Sequence, residues 1–172
     1  MKEKRDKYVE LARQTINDFV IDRRKRTPDY PLDKGFVRQA AVFVSLKKDG
    51  QLRGCIGTIE PCYENIAQEI INNAISACSQ DPRFNPVVEG ELPYLDITVD
   101  VLSKPEKVNK SSELDPDKYG VIVENGVRNG VLLPALPGIS DFSQQLEIAR
   151  KKAGILPDEE MEIYRFKVNR HK

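Results

Sequence analysis

The chain has 172 residues, of which 40% are hydrophobic and 31% are charged, and its 27 basic and 27 acidic residues give a formal net charge of zero. A chain of this length can bury a core as one domain or as two small lobes, and its balanced charge creates no global field that would attract nucleic acid or an anionic membrane. Three cysteines and a single histidine, His171, argue against a disulfide framework, a histidine-based catalytic triad and a His-rich metal site. We therefore predict a single domain over residues 1–172. We expect it to bind no metal, cofactor or nucleic acid and not to associate with a membrane.

The first 26 residues predict a helix followed by a basic run. Apolar residues recur at spacings of three and four, which is typical of an amphipathic helix over about residues 4–22, with no apolar signal core before it. This start predicts a cytoplasmic protein. The basic residues 23–26 would either contact RNA or lipid, or be solvated cations at the helix C-terminus, where the helix dipole favours them. We favour the second interpretation because the run has no interleaved aromatic residues.

The next stretch predicts a hairpin, a helix and a third strand. Residues 39–47 and 51–59 read as strands joined by the turn Asp49-Gly50. Apolar residues at helical spacing between Tyr63 and Ala77 predict a helix that ends before Asp81. Residues 94–102 alternate between apolar and polar side chains, which predicts a strand with Asp100 among the outward-facing residues.

A second hairpin and helix follow, and then a final strand. Residues 120–124 and 127–133 flank an Asn125-Gly126 turn. Asp141 has the properties of an N-cap and Gly154 those of a C-terminal stop, so a helix is predicted between them. Residues 163–168 predict one last short strand.

The two hairpin–helix stretches align without a gap when the chain is shifted by 76 residues. The alignment places restrictive residues on one another, among them Gly54 on Gly130 and Pro61 on Pro137. We interpret this as an internal duplication, with repeats over approximately residues 36–80 and 94–156. The predicted fold is α+β: two β-hairpin–helix repeats form one mainly antiparallel, barrel-like sheet with the helices packed outside.

The most chemically suggestive stretch is LRGCIGT, residues 52–58. Two glycines in one short strand indicate a bulge or the close approach of another backbone or a ligand. Alternation along a strand would place Arg53, Cys55 and Gly57 on one face, with a fixed cation beside a thiol. Arg53 and Cys55 also align with Asn129 and Val131, so this chemistry is present in the first repeat only, whereas Gly54 has a counterpart.

Cys55 has two readings that the sequence leaves open. It is either a small buried hydrophobic residue or a site residue whose thiolate is stabilised by Arg53, and as a catalytic nucleophile it would lack a histidine base. Glu60 could serve nearby as a general acid or base. The chain is therefore assigned neither as an enzyme nor as a non-enzyme.

The tetrapeptide DPRF at residues 81–84 also has two readings. Asp81 and the following proline are typical of a turn after a helix, anchored by Phe84. Alternatively, Arg83 is a second cation beside Arg53, and Asp81 orients one of them for the recognition of a carboxylate or phosphate. The predicted ligand site therefore consists of Arg53, Gly54, Gly57, Asp81 and Arg83 around Cys55.

These residues also carry a resemblance to a known family. The chain resembles the AMMECR-type domain, called AmmeMemoRadiSam system protein A in microbes, in residues 52–58, 81–84, 102–106, 119–123, 132–134 and 152–154. The resemblance covers nearly the whole chain and implies a compact α+β fold with two β–α repeats. Residues 136–140 form a short loop where many members have a longer segment that contains Trp.

The resemblance implies partners but no reaction. It implies that the protein works with a Memo-like protein and a radical SAM enzyme. Our leading hypothesis is a cleft lined by Arg53, Cys55 and Arg83 that binds a small anionic or carbonyl ligand, with Cys55 as the residue that would modify it. The alternative is a non-catalytic interaction module for the same partners.

Overall fold

The computed structural model describes residues 6–29 and 31–172. It divides into two compact units, the first comprising Met1–Val101 with Asn169–Lys172 and the second Leu102–Val168. Among the described residues, no helix is both long enough and apolar enough to cross a membrane.

The first unit packs two helices against one face of a four-stranded sheet. Its elements are α1 (Lys7–Asp22), β1 (Val42–Lys48), β2 (Gln51–Gly57), α2 (Ile66–Ser79), β3 (Leu95–Leu102) and β8 (Val168–His171), with a 3-10 helix over Glu89–Tyr94. The sheet order is β2-β1-β3-β8, and β1 pairs with β2 and β3 in antiparallel register. Alternate residues of β1, namely Val42, Val44 and Leu46, are fully buried in a core that includes residues of both helices. Asp6 is the N-cap of α1.

The second unit has one helix on a second four-stranded sheet. It contains β4 (Glu106–Lys107), β5 (Gly120–Asn125), β6 (Arg128–Leu132), α3 (Phe142–Ala153) and β7 (Glu162–Phe166), in the sheet order β4-β7-β5-β6. The predicted caps of α3 are confirmed: Asp141 accepts hydrogen bonds from two backbone amides of the first turn, and Gly154 is in the left-handed conformation. Val121, Val123 and Ala149 lie at the centre of its core.

The structure confirms the α+β class but corrects the sheet architecture. Two separate antiparallel sheets replace the single barrel-like sheet that the sequence predicted, and no closed barrel forms. The predicted final strand, residues 163–168, corresponds to β7 of the second sheet. A further strand that was not predicted, β8, begins at Val168 and is the fourth strand of the first sheet. Each sheet buries one face against its own helices, which needs no barrel closure.

The glycines Gly54 and Gly130 bring each hairpin into close contact with the following helix. A Cβ at Gly54 would lie 2.2 Å from the carbonyl oxygen of Ala77 in α2, and one at Gly130 would lie 2.0 Å from that of Ala149 in α3. Any larger residue would force strand and helix apart. Of the alternatives that the two glycines left open, Gly54 shows the close approach of another backbone, that of α2, while the neighbouring Arg53 lies at a bulge.

Candidate functional site

A row of three polar side chains crosses the first sheet on the face opposite the helices. Ser45 of β1 is opposite Cys55 of β2 on one side and Thr98 of β3 on the other. The three residues are partly buried, and the Cys55 Sγ is 3.1 Å from the Ser45 Oγ. The thiol predicted from the sequence thus lies in a polar row and is not sealed among aliphatic side chains.

Asp81 and Arg83 form hydrogen bonds with the outer edge of β2 at Cys55. The backbone N–H of Cys55 donates to Asp81 Oδ2 at 2.9 Å, and the Cys55 carbonyl accepts from Arg83 Nη2 at 3.3 Å. The two side chains are themselves joined by Arg83 Nε and Nη2, at 2.9 and 2.8 Å from the carboxylate. Together they satisfy the outward backbone groups of an edge strand as a neighbouring strand would.

The Asp81–Arg83 pair is buried at one end and open at the other. The side chain of Asp81 is 2% exposed and that of Arg83 is 54% exposed. The Arg83 guanidinium, helped by the Cys55 and Arg83 backbone amides, holds the pKa of Asp81 far below its usual range although burial opposes this. Within the described part of the chain, Arg83 Nη1 makes no hydrogen bond, so the pair presents an oriented guanidinium beside Cys55.

Arg53 points away from the thiol because β2 contains a bulge. Leu46 is opposite Gly54 and Lys47 is opposite Leu52, so Arg53 is an extra residue in the ladder. Its guanidinium makes a bidentate pair with Glu91, at 3.0 Å from Nε and 2.8 Å from Nη2, and donates to the Asn85 and Pro86 carbonyls. Arg53 is 17% exposed. Arg53 therefore links β2 to the segment before β3. The cation next to Cys55 is Arg83 and not Arg53.

Phe84 lies near both guanidiniums of the predicted site. Its ring centroid is 6.0 Å from the Arg53 Cζ and 5.5 Å from the Arg83 Cζ, within the range of cation–π contacts. The motif at residues 81–84 makes a turn after α2, and its Asp81 orients Arg83, whereas recognition of a carboxylate or phosphate stays a prediction.

A second Asp–Arg pair, which the sequence analysis missed, lies near the same row. Asp100 of β3 accepts two hydrogen bonds from Arg170 of β8, at 2.8 Å from Nε and 2.9 Å from Nη2. Asp100 is on the face of β3 opposite the helices, as alternation predicted, but it is only 1% exposed. Local pattern could not reveal the pair, because its members are separated by 70 residues and meet only when β8 joins the sheet.

The environment of Cys55 favours the neutral thiol. Burial raises the pKa of Cys55, and Asp100 and Asp81 act in the same direction, whereas the Ser45 hydroxyl and the Arg83 charge oppose them. Burial likewise raises the pKa of Cys78 to about 11, whereas Cys62 is exposed on a loop. A raised pKa opposes spontaneous formation of a reactive thiolate at Cys55.

Gly57 and Glu60 have packing and surface positions. A Cβ at Gly57 would lie 2.3 Å from the ring of Phe43, so this glycine lets the aromatic ring lean across the sheet. Glu60 is exposed. The carboxylate built into this region is Glu69 of α2, which is fully buried and accepts hydrogen bonds from Thr58, Cys62 and Tyr63.

A cavity of about 670 Å³ in the first unit is lined by residues of α1, of the segment before β3 and of β3 itself. Its lining includes Arg13, Asp96 and Thr98 of the polar row, but not Cys55 or Arg83. No group of three or more metal-ligating side chains occurs within residues 6–29 and 31–172.

Comparison with known proteins shows the family to which this chain is similar. The AMMECR1 family model matches residues 9–171. A Thermotoga maritima protein is 49% identical over 96% of this chain and 97% of its own length. The Clostridium acetobutylicum protein CA_C1420 is 48% identical over 99% of this chain, which spans 37% of that protein.

A solved structure has the same fold. The crystal structure of the uncharacterized protein PH0010 from Pyrococcus horikoshii has a TM-score of 0.88 and 30% identity, covering 95% of this chain and 88% of that one. None of the names of these three proteins states an activity, a ligand or a partner.

Proposed function

This chain belongs to the AMMECR1 family, and we propose that its first unit binds a small anionic or carbonyl ligand at the Cys55–Ser45–Thr98 row. The observation that carries the proposal is the Asp81–Arg83 pair, in which a buried carboxylate fixes a half-exposed guanidinium beside the Cys55 backbone. A guanidinium held in this way recognises a carboxylate or phosphate at little further cost in side-chain entropy.

Each member of the site has a separate role in this proposal. Arg83 supplies the positive charge, and Asp81 sets its orientation through Nε and Nη2. The Ser45 and Thr98 hydroxyls are donors and acceptors for the polar atoms of the ligand. Cys55 contacts the ligand as a neutral thiol, because burial raises its pKa and the chain offers no histidine base beside it.

The proposed protein partners are those that the family resemblance implies. We propose that a Memo-like protein and a radical SAM enzyme work with this chain, and that all three act in the cytoplasm. Co-purification of the untagged partners with the tagged chain would test this, with the Arg83→Gln variant showing whether the ligand site takes part.

Protection of Cys55 from alkylation tests ligand binding directly. In a Cys62→Ser background, iodoacetamide should label Cys55 ahead of the buried Cys78, and 10 mM acetate or inorganic phosphate at constant ionic strength should slow this labelling several-fold. Arg83→Gln should remove the protection, whereas Arg24→Gln, which changes an exposed arginine of the same unit, should leave it intact. Labelling of Cys55 that no probe slows would contradict the proposal.

A second candidate function is a non-catalytic interaction module. It is favoured by Arg53, whose side chain is engaged with Glu91 and two backbone carbonyls, and by Gly54 and Gly57, which serve close packing. Much of the LRGCIGT motif then serves to make a rigid surface. In this case Cys55→Ser should retain the partners at wild-type affinity, and no probe should protect Cys55.

A further inference from the structure

We propose that Arg170 is a second anion-binding residue of the Cys55 site, so that the site takes a ligand with two negative charges, a dicarboxylate or a phosphomonoester. This inference rests on the proposed function and adds the charge of the ligand to it. It also gives the C-terminal strand β8 a part in binding.

The first argument is that Arg170 and Arg83 are held in the same way. Each guanidinium donates through Nε and Nη2 to one carboxylate, Asp81 for Arg83 and Asp100 for Arg170, at distances of 2.8–2.9 Å. Both carboxylate side chains are 2% exposed, whereas the arginines are 54% and 34% exposed. Within the part of the chain that the structure describes, neither Nη1 makes a hydrogen bond, so each pair keeps donors for a ligand.

The second argument is placement on the sheet. Phe43 is opposite both Gly57 and Asp100, so Asp100 lies in the row next to Cys55–Ser45–Thr98 and on the same face. The Arg170 charge is close enough to Cys55 to interact with it, as the Arg83 charge is. Arg83, from the turn after α2, thus contacts the Cys55 backbone, and the charge of Arg170 in β8 interacts electrostatically with Cys55.

Each arginine keeps N–H donors that its carboxylate does not use. A ligand can therefore accept hydrogen bonds from these donors and contact the exposed outer part of each guanidinium. Two such arginines favour a ligand whose anionic groups can contact both. A neutral carbonyl compound or a monocarboxylate would use only one of them.

Binding of small anions by calorimetry tests this inference. The probes are malonate and inorganic phosphate as dianions and acetate as a monoanion, at pH 7.5 and constant ionic strength. Wild-type protein should bind malonate and phosphate at least tenfold more tightly than acetate. Arg170→Gln should weaken malonate and phosphate about tenfold and leave acetate unchanged, whereas Arg83→Gln should weaken all three.

Two further variants guard against a trivial loss of folding. Arg170→Gln leaves Asp100 buried without its partner, so Asp100→Asn with Arg170→Gln removes both charges, and Arg170→Lys retains the cation. The double variant should bind malonate as weakly as Arg170→Gln, Arg170→Lys should lie between it and wild type, and the control Arg24→Gln should match wild type.

The outcomes separate the two proposals. If the Arg170 variants bind malonate and phosphate as wild type does while Arg83→Gln does not, the role of Arg170 is overturned and the proposed ligand site stands. If phosphate but not malonate depends on Arg170, the ligand is a phosphomonoester, and the reverse indicates a dicarboxylate. If wild type binds no probe at 10 mM, both proposals fall.

Discussion

The two hairpin–helix units, β1-β2-α2 and β5-β6-α3, share their packing and differ in their chemistry. In each, a mid-strand glycine meets a helix carbonyl, at Gly54 and Gly130, and a side-chain N-cap begins the helix, at Asn65 and Asp141. Both pairs are related by the same shift of 76 residues. The internal duplication stays a prediction, but close strand–helix packing is common to both units.

The difference lies at the sheet edge. The Cys55 carbonyl accepts from Arg83, and the Val131 carbonyl, one shift away, accepts from Lys152 at 2.7 Å. The Cys55 amide additionally donates to the buried Asp81, which fixes Arg83. A cation at the sheet edge is thus present in both units, whereas the buried carboxylate and the thiol of the proposed site are present in the first unit only.

The largest expected effect is the loss of stability when a methyl group is added at either mid-strand glycine, Gly54 or Gly130. Gly54→Ala and Gly130→Ala would each place a Cβ about 2 Å from a helix carbonyl, so either should reduce the free energy of unfolding by about 3 kcal/mol. Gly90→Ala is the control, because nothing lies within 4 Å of its Cβ, and it should change stability by less than about 0.5 kcal/mol. Urea denaturation would measure all three, and equal stability of Gly54→Ala and Gly90→Ala would refute the packing role.

The next effect concerns the Arg53–Glu91 pair, which holds the bulge of β2 to the segment before β3. Both side chains are mostly buried, so Arg53→Gln should reduce the free energy of unfolding by about 2 kcal/mol. Arg128→Gln, which breaks the more exposed pair with Glu159 in the second unit, should have a smaller effect. The same urea titration compares them, and a larger effect at Arg128 would contradict the structural role of Arg53.

The stabilisation from Glu91 should depend on pH. The Arg53 guanidinium, with the Val88 amide and Lys48, lowers the pKa of Glu91 to about 2 although burial opposes this. A lowered folded-state pKa means that the contribution is complete above the unfolded value, about 4.3, and is lost as the pH falls toward 2. The stability difference between wild type and Glu91→Gln should therefore shrink between pH 4.5 and 2, and a constant difference would contradict it.

A smaller effect is expected at Glu69, whose counterpart in the second unit is Gln145. Glu69→Gln gives the first unit the residue that the second unit has at this position. It should weaken the hydrogen bonds from the loop after β2 and reduce the free energy of unfolding by about 1 kcal/mol. Hydrogen exchange of the Cys62 and Tyr63 amides should become faster. The exposed Glu64→Gln is the control, and unchanged exchange in Glu69→Gln would show that the carboxylate does not hold the loop.

The smallest effect concerns the pKa of Cys55. Arg83 lowers this pKa and Asp81 raises it, so Arg83→Gln should shift the pH profile of Cys55 alkylation upward and Asp81→Asn should shift it downward. Rates measured with iodoacetamide in the Cys62→Ser background would show both directions. Shifts of the same sign would mean that the thiol responds to a change in the fold and not to these charges.

Local pattern was sufficient for most of the secondary structure and for part of the site. Turn residues, caps and alternation predicted both hairpins, the three helices and β3 to within a few residues, because these signals act over short stretches of backbone. The same logic predicted Asp81 beside an arginine, since Arg83 follows Asp81 by two positions in the sequence. It also identified Gly54 as a close approach.

Only the tertiary structure decided which groups surround Cys55 and how many sheets there are. Alternation placed Arg53 beside the thiol, but a bulge moved it to Glu91, 38 residues away, and Asp100 and Arg170 met across 70 residues. The unpredicted strand β8 follows β7 after one residue but pairs in the other sheet, beside β3, and this pairing depends on the edge that β3 offers. Sequence determines what a side chain can do, whereas partners distant along the chain become neighbours only when sheets pair and pack.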